Sequence, residues 1–172
     1  MTNAPKRERS NFSDADGQVL LDQASKCIEA ALQGKPVPDF DHPLAEASVV
    51  GIFVSLKRGN LLRACCGSLN EHEPSPLGEM LQAAAQRSAL KDVRFPRIGK
   101  HELPCLELEV SVMHNMEVMP ANPNLRINHI TIGRHGLIVS HPKGRGLLLP
   151  QVAADNSWDE PTFLQQVCRK AG

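Results

Sequence analysis

The sequence predicts an α+β fold, an antiparallel β-sheet with flanking helices, and three observations lead there. Amphipathic stretches at helical spacing stand near the start, the middle and the end of the chain. Between them lie apolar, β-branched runs joined by short glycine-containing turns, which favour antiparallel pairing. Strand and helix never alternate in the rhythm of parallel βαβ units. At 172 residues the chain is long enough to bury a real core within one domain.

Residues 1–12 are polar and aperiodic, which predicts a disordered lead-in to a domain spanning 13–172. Ser13 offers an N-cap, and Leu20, Ala24, Cys27, Ile28, Ala31 and Leu32 recur at helical spacing as far as Gly34, so a helix is expected here. A Pro-x-Pro connector follows. Residues 49–56 form a continuous apolar run, and Lys57-Arg58-Gly59-Asn60 turns the chain into residues 61–66, a hairpin whose second strand feeds into Gly67. Period-two alternation puts Leu61, Arg63 and Cys65 on one face of that strand. It puts Leu62, Ala64 and Cys66 on the other, the better core face.

Ser75 as N-cap and Pro76 at the first helical position open a second helix packed through Leu77, Met80, Leu81, Ala84, Ala85 and Ser88, ending near Lys91. The residue before Pro96 avoids the α region, so residues 92–96 should leave the helix in extended form. After a turn at 101–104, Leu106, Leu108, Val110 and Val112 alternate with Glu107, Glu109 and Ser111 as a strand with one wet face. Residues 120–128 read as loop, and short strands at 130–132, 137–140 and 146–149 as a meander. Ser157 to Glu160 has capping-box spacing, and Phe163, Leu164, Val167, Cys168 and Ala171 give a final helix its stripe.

Composition narrows the function classes. Lys plus Arg and Asp plus Glu balance at 19 each, and aromatics make up 3% with no Tyr, which argues against a nucleic-acid partner. No leader-like apolar region follows the basic start and no run approaches membrane-spanning length, so no membrane partner is expected and the protein should be cytoplasmic. Five cysteines without secretory context should be free thiols.

The stretch that concentrates chemistry is Leu61-Leu62-Arg63-Ala64-Cys65-Cys66-Gly67-Ser68. If Arg63 and Cys65 share a strand face, the guanidinium can stabilise a thiolate and make Cys65 a nucleophile. Alternatively the thiols are packing and Arg63 pairs with a carboxylate such as Glu107 or Glu109, which spacing alone favours. A metal reading would recruit Cys65, Cys66, His72 and Cys105, but no Cys-x-x-Cys spacing supports it, so neither metal nor cofactor is expected. The glycine-flanked basic turns at 133–136 and 143–146 precede no helix and read as hairpin turns. Asp92 and Arg94 form either a local ion pair or a projection of Arg94 into a cleft.

The residues Leu62-Arg63-Ala64-Cys65-Cys66-Gly67-Ser68-Leu69 resemble the Leu-Arg-Gly-Cys-Ile-Gly-Ser-Leu signature of the AMMECR domain family. The likeness continues through Asp92-x-Arg94-Phe95-Pro96, Glu102-Leu103-Pro104, Ile132-Gly133-Arg134-His135-Gly136 and Gly146-Leu147-Leu148-Leu149-Pro150 to Trp158-Asp159 and the last residues. It implies a larger antiparallel-sheet domain and a smaller lobe meeting at a cleft lined by the motif cysteine. It also implies an association with Memo-like and radical SAM proteins, the AmmeMemoRadiSam system, and supplies no reaction. Only Cys65 matches the motif cysteine; Ala64 stands where the family has Gly, and Cys66 where Ile is usual. Family members run on past the segment matching Lys170-Ala171-Gly172, so a terminal piece of the site would be missing or replaced.

On this reading Cys65 is nucleophile or covalent anchor and Arg63 its charge stabiliser, with Arg94, His135 and Gly67 as contacts for a small anionic substrate. The competing expectation is a non-catalytic adaptor for the Memo-like and radical SAM proteins.

Overall fold

The structure is a computed structural model and describes residues 12–70 and 73–172. Residues 1–11, nearly all of the predicted lead-in, lie outside the described residues, as does His72 of the metal reading. The chain divides into two compact units, Met1–Met116 and Glu117–Gly172. As predicted, both combine helices with antiparallel strands.

In the first unit, helix α1 (Asp14–Gln33) begins at Ser13 with a reciprocal capping box to Asp16 and stops at Gly34, whose φ of 68° is the left-handed conformation glycine tolerates. A two-residue strand β1 (Ser48–Val49) leads into the hairpin of β2 (Gly51–Arg58) and β3 (Leu61–Leu69). Ser75 and Pro76 do not enter the second helix. They form β4 (Ser75–Pro76), antiparallel to β1, and helix α2 (Leu77–Leu90) starts one residue later than expected, with Pro76 itself as N-cap. Strand β5 (Glu107–Met113) completes a three-stranded sheet in the order β3-β2-β5, so β3 is an edge.

One face of this sheet is the core. Ile52, Val54 and Leu56 of β2 and Ala64 of β3 are at most 2% exposed and pack with Val110 and Val112 against apolar residues of α1 and α2. Burying the Ile, Val and Leu side chains among them stabilises by about 1.5–3 kcal/mol each. Register puts Phe53, Ser55 and Lys57 on the opposite face, level with Gly67 and Cys65 on one side and with Ser111, Glu109 and Glu107 on the other. There the Lys57 ammonium donates to the Glu109 carboxylate at 2.8 Å.

The second unit holds short helices α3 (Pro123–Arg126) and α4 (Pro150–Asp155), the hairpin β6 (Leu137–His141) with β7 (Gly144–Leu148), and helix α5 (Glu160–Ala171). Residues 120–128 are thus partly helical, and the predicted strand at 130–132 is absent because a 3-10 turn (Ile127–His129) runs straight into the turn at 131–135. The final helix is capped by Asp159 rather than Ser157: its carboxylate accepts from the Thr162 N–H at 2.9 Å. Phe163, Val167 and Ala153 are fully buried in this unit's core. Among the described residues, no helix is long and apolar enough to cross a membrane.

Candidate functional site

The double-cysteine stretch lies on β3, and the strand does not keep strict alternation there. Leu56 pairs with Ala64 but Lys57 pairs with Leu62, so Arg63 is the extra residue of a β-bulge. The bulge carries Leu62 onto the face away from the helices, where it is 39% exposed. That corrects the predicted core face at Leu62, while Ala64 and Cys66 keep to it, and it removes the period-two basis for setting Arg63 beside Cys65. Beyond the bulge alternation resumes: Cys66 pairs with Val54 on the helix side and Cys65 with Ser55 on the other.

Arg63 is engaged by the segment after α2. Its Nε and Nη2 donate to the two carboxylate oxygens of Glu102, each at 3.0 Å, a fork-to-fork geometry. Nη1 also donates to the Pro96 carbonyl at 2.7 Å and Nη2 to the Arg97 carbonyl at 3.2 Å. The partner is therefore Glu102, not the neighbouring-strand Glu107 or Glu109 that spacing suggested. The bonds from Arg63 hold the Glu102 carboxyl down to about 2, with the Gly99 N–H adding a further donor.

The groups that meet Cys65 are Asp92 and Arg94. The Cys65 N–H donates to Asp92 Oδ2 at 2.8 Å, and Arg94 Nη2 donates to the Cys65 carbonyl at 2.7 Å. Arg94 also forks onto Asp92, Nε to Oδ1 at 2.9 Å and Nη2 to Oδ2 at 2.8 Å. One ion pair thus occupies both outward-facing backbone groups of an edge residue, as a neighbouring strand would. The chain is not extended from 92 to 95 as predicted. It makes a turn, with the Phe95 N–H reaching the Asp92 carbonyl at 3.3 Å and the Arg94 N–H reaching Asp92 Oδ1 at 3.2 Å. Hydrogen bonds from Arg94 lower the Asp92 carboxyl to about 2 despite its burial. The same bonds raise Arg94, and the charges of Cys65 and Cys66 act on it in the same direction.

Cys66 is held differently. Its N–H donates to Ser88 Oγ at 2.8 Å, and that hydroxyl donates to the Val54 carbonyl at 2.7 Å, so a side chain of α2 bridges two paired strands at the double cysteine. Burial pushes the Cys66 thiol up, and the Asp92 charge adds to the shift. Gly67 lies level with Phe53, and a Cβ there would collide with the Phe53 ring and the Ile52 carbonyl, so the glycine admits close packing.

Two site residues were missed in the sequence. Ser88 reads as one more small residue on a helical stripe, and Glu102 lies 39 residues from the arginine it binds. Neither spacing carries a local signal. His135 belongs to the second unit, where its Nδ1 accepts from the Thr131 N–H at 3.1 Å. Cys105 and Cys168 are exposed and Cys27 is buried, all as free thiols. Among the described residues, no group of three His, Cys, Asp or Glu side chains is arranged to hold a metal ion.

The AMMECR1 family model matches residues 21–172. The chain belongs to the AMMECR1 family. It is 38% identical over 157 residues to a protein of Methanocella arvoryzae, covering 91% of this chain and 79% of that one. It is 36% identical to a protein of Methanosarcina acetivorans, over 94% of this chain and 82% of the relative. Among solved structures it is similar to the uncharacterized protein PH0010 of Pyrococcus horikoshii, at 38% identity and a TM-score of 0.79, over 91% of this chain and 79% of that one.

Proposed function

We propose that this AMMECR1 chain is a cytoplasmic thiol-centred module that binds, and covalently anchors, a small anionic molecule with an electrophilic carbon. The observation that carries the reading is the Asp92–Arg94 pair closed around the Cys65 peptide, which fixes the residue and keeps a guanidinium close to it. In the step proposed, the Cys65 sulfur adds to the carbonyl carbon of a small oxoacid. A carbon–sulfur bond forms, the carbonyl π pair moves to oxygen, and the thiol proton ends on that oxygen as a thiohemiacetal. Arg94 keeps Nη1 outside its bonds to Asp92 and Cys65, and from there donates to the incoming carboxylate. Arg63 then acts as a positioning residue through Glu102 and the 96–97 carbonyls. Gly67 lets the strand pack closely beside the thiol, and His135 belongs to the proposal only as a family motif position of the second unit.

Alkylation with two reagents of like size and different charge tests this. Iodoacetate should label Cys65 in preference to Cys66, and faster relative to neutral iodoacetamide than it labels a free thiol in solution. Arg94→Gln should remove most of that preference. A Cys65 that resists both reagents while Cys66 is labelled would sink the proposal.

A second reading is favoured by exposed apolar side chains near the same segment: Val93 at the tip of the turn is 97% exposed and Leu61 75%. It makes the chain a non-catalytic adaptor for the Memo-like and radical SAM proteins of the AmmeMemoRadiSam system. Co-purification with them should then survive Cys65→Ser and be lost in Val93→Glu; loss in Cys65→Ser counts against it.

A further inference from the structure

The same unit contains a cavity of about 180 Å³ that does not include Cys65, bounded by the start of β3, the last turn of α2 and the loop at 93–98. Its lining is mainly apolar, with Ala64, Ala89, Leu90, Phe95 and Ile98 among its walls. Its formal charges are Arg63, Lys91, Asp92 and Arg97. We infer that this cavity is a binding site for a small organic carboxylate with an apolar body, a site separate from the thiol and independent of the reading given above for it.

The charge balance decides the sign of the ligand. Asp92 is paired with Arg94, and Glu102 is shared between Arg63 and Arg58, so these groups leave no net negative charge at the wall. Lys91 and Arg97 remain, both exposed and without an ion pair among the described residues. Opposing them is the carboxyl end of α2, whose macrodipole is worth about half an elementary charge. Two full cations outweigh it. Arg63 adds direction: Nε, Nη1 and Nη2 are held by Glu102 and the carbonyls of Pro96 and Arg97, which account for four of the five N–H groups a guanidinium carries. One N–H of Nη1 is left for a ligand oxygen.

Size decides the class. The volume is room for about six water molecules at ~30 Å³ each, and lies below the ~300 Å³ at which drug-sized pockets begin. That fits a ring or short branched chain carrying one carboxylate. The apolar walls supply affinity by desolvation, and the cations at the rim supply the choice of charge.

Three probes of one shape and three charges test the inference: benzoate, benzamide and benzylamine, titrated into the full chain with the methyl resonances of Ala89, Leu90 and Ile98 as reporters. Benzoate should shift these methyls saturably and bind at least ten-fold tighter than benzamide, and benzylamine should leave them unmoved. The double variant Lys91→Gln/Arg97→Gln, altered only at exposed positions, should lose that ten-fold advantage. Cys65→Ser should bind benzoate as the native chain does. Equal binding of benzoate and benzamide, shifts elsewhere in the molecule, an unaffected double variant, or loss of benzoate binding in Cys65→Ser would each overturn it.

Discussion

Of the arginine–carboxylate pairs in this neighbourhood of the first unit, Arg63–Glu102 and Asp92–Arg94 are the two that hold β3, and their differences divide the labour of the site. Arg63–Glu102 joins residues 39 apart, and both side chains are largely buried, at 17% and 16% exposure. Asp92–Arg94 joins residues two apart; Arg94 is 55% exposed and only the carboxylate is covered, at 5%. The first pair ties the bulge of β3 to the segment after α2. The second closes on the Cys65 peptide. A long-range buried pair carries the fold, and a local, half-exposed pair carries the placement of one residue.

The largest expected effect is on the first pair. Arg63→Leu leaves the Glu102 carboxylate with only the exposed Arg58 and the Gly99 N–H in place of its fork, and frees the carbonyls of Pro96 and Arg97. Breaking a fully buried pair costs about 3–5 kcal/mol, and partial exposure places this one near the lower end, about 3 kcal/mol, as read by urea unfolding. A loss below 1 kcal/mol would give both pairs the same weight and dissolve the contrast.

Ser88→Ala should come next, because it removes an uncharged tie from the same place. The Cys66 N–H and the Val54 carbonyl would lose their shared hydroxyl inside the sheet, a loss of about 2 kcal/mol. Faster amide exchange at Cys66 than at Ala64 would identify the cause.

Acid should act on both pairs with the same sign and separate them by size. Glu102 and Asp92 both titrate at about 2 in the folded chain, below their ordinary 4.5 and 3.8. Folded values depressed in this way stabilise fully above the ordinary range. That stabilisation is lost as the pH falls from about 4.5 toward 2. Unfolding free energy measured from pH 6 to pH 2.5 should therefore fall, by about 2 kcal/mol in all. Glu102→Gln should flatten that limb more than Asp92→Asn does. An equal flattening would erase the distinction.

How much of this was legible in the sequence follows from the range of the interactions. Helix α1 could be read to the residue, because Ser13, Asp16 and Gly34 act within one turn of its ends. The hairpin was legible from its turn, but the bulge was not: nothing in Leu61-Leu62-Arg63-Ala64 announces that Arg63 is unpaired, and a single extra residue reverses the face of Leu62. The Asp92–Arg94 pair was legible as a pair. Its target was not, since the Cys65 backbone is 27 residues away and offers no side-chain identity to recognise. Ile130 to Ile132 looked like a strand because propensity is local, and the 3-10 turn before it leaves no partner to bond.

The smallest expected change in stability tests the contrast most sharply. Arg94→Lys keeps a positive charge near the thiol but replaces a planar fork with a single ammonium. A lysine cannot hold both Asp92 oxygens and the Cys65 carbonyl in one geometry, so the clamp should open on its carbonyl side while the Cys65 N–H keeps its bond to Asp92. Because Arg94 is more than half exposed, unfolding free energy should drop by less than about 1 kcal/mol. The iodoacetate labelling rate of Cys65 should change severalfold over the same substitution. Arg63→Lys should invert the ratio, with a large loss of stability and little change in the charge preference of labelling. If both substitutions moved stability and labelling in the same proportion, the two pairs would be one structural unit, and Cys65 would have no positioning device of its own.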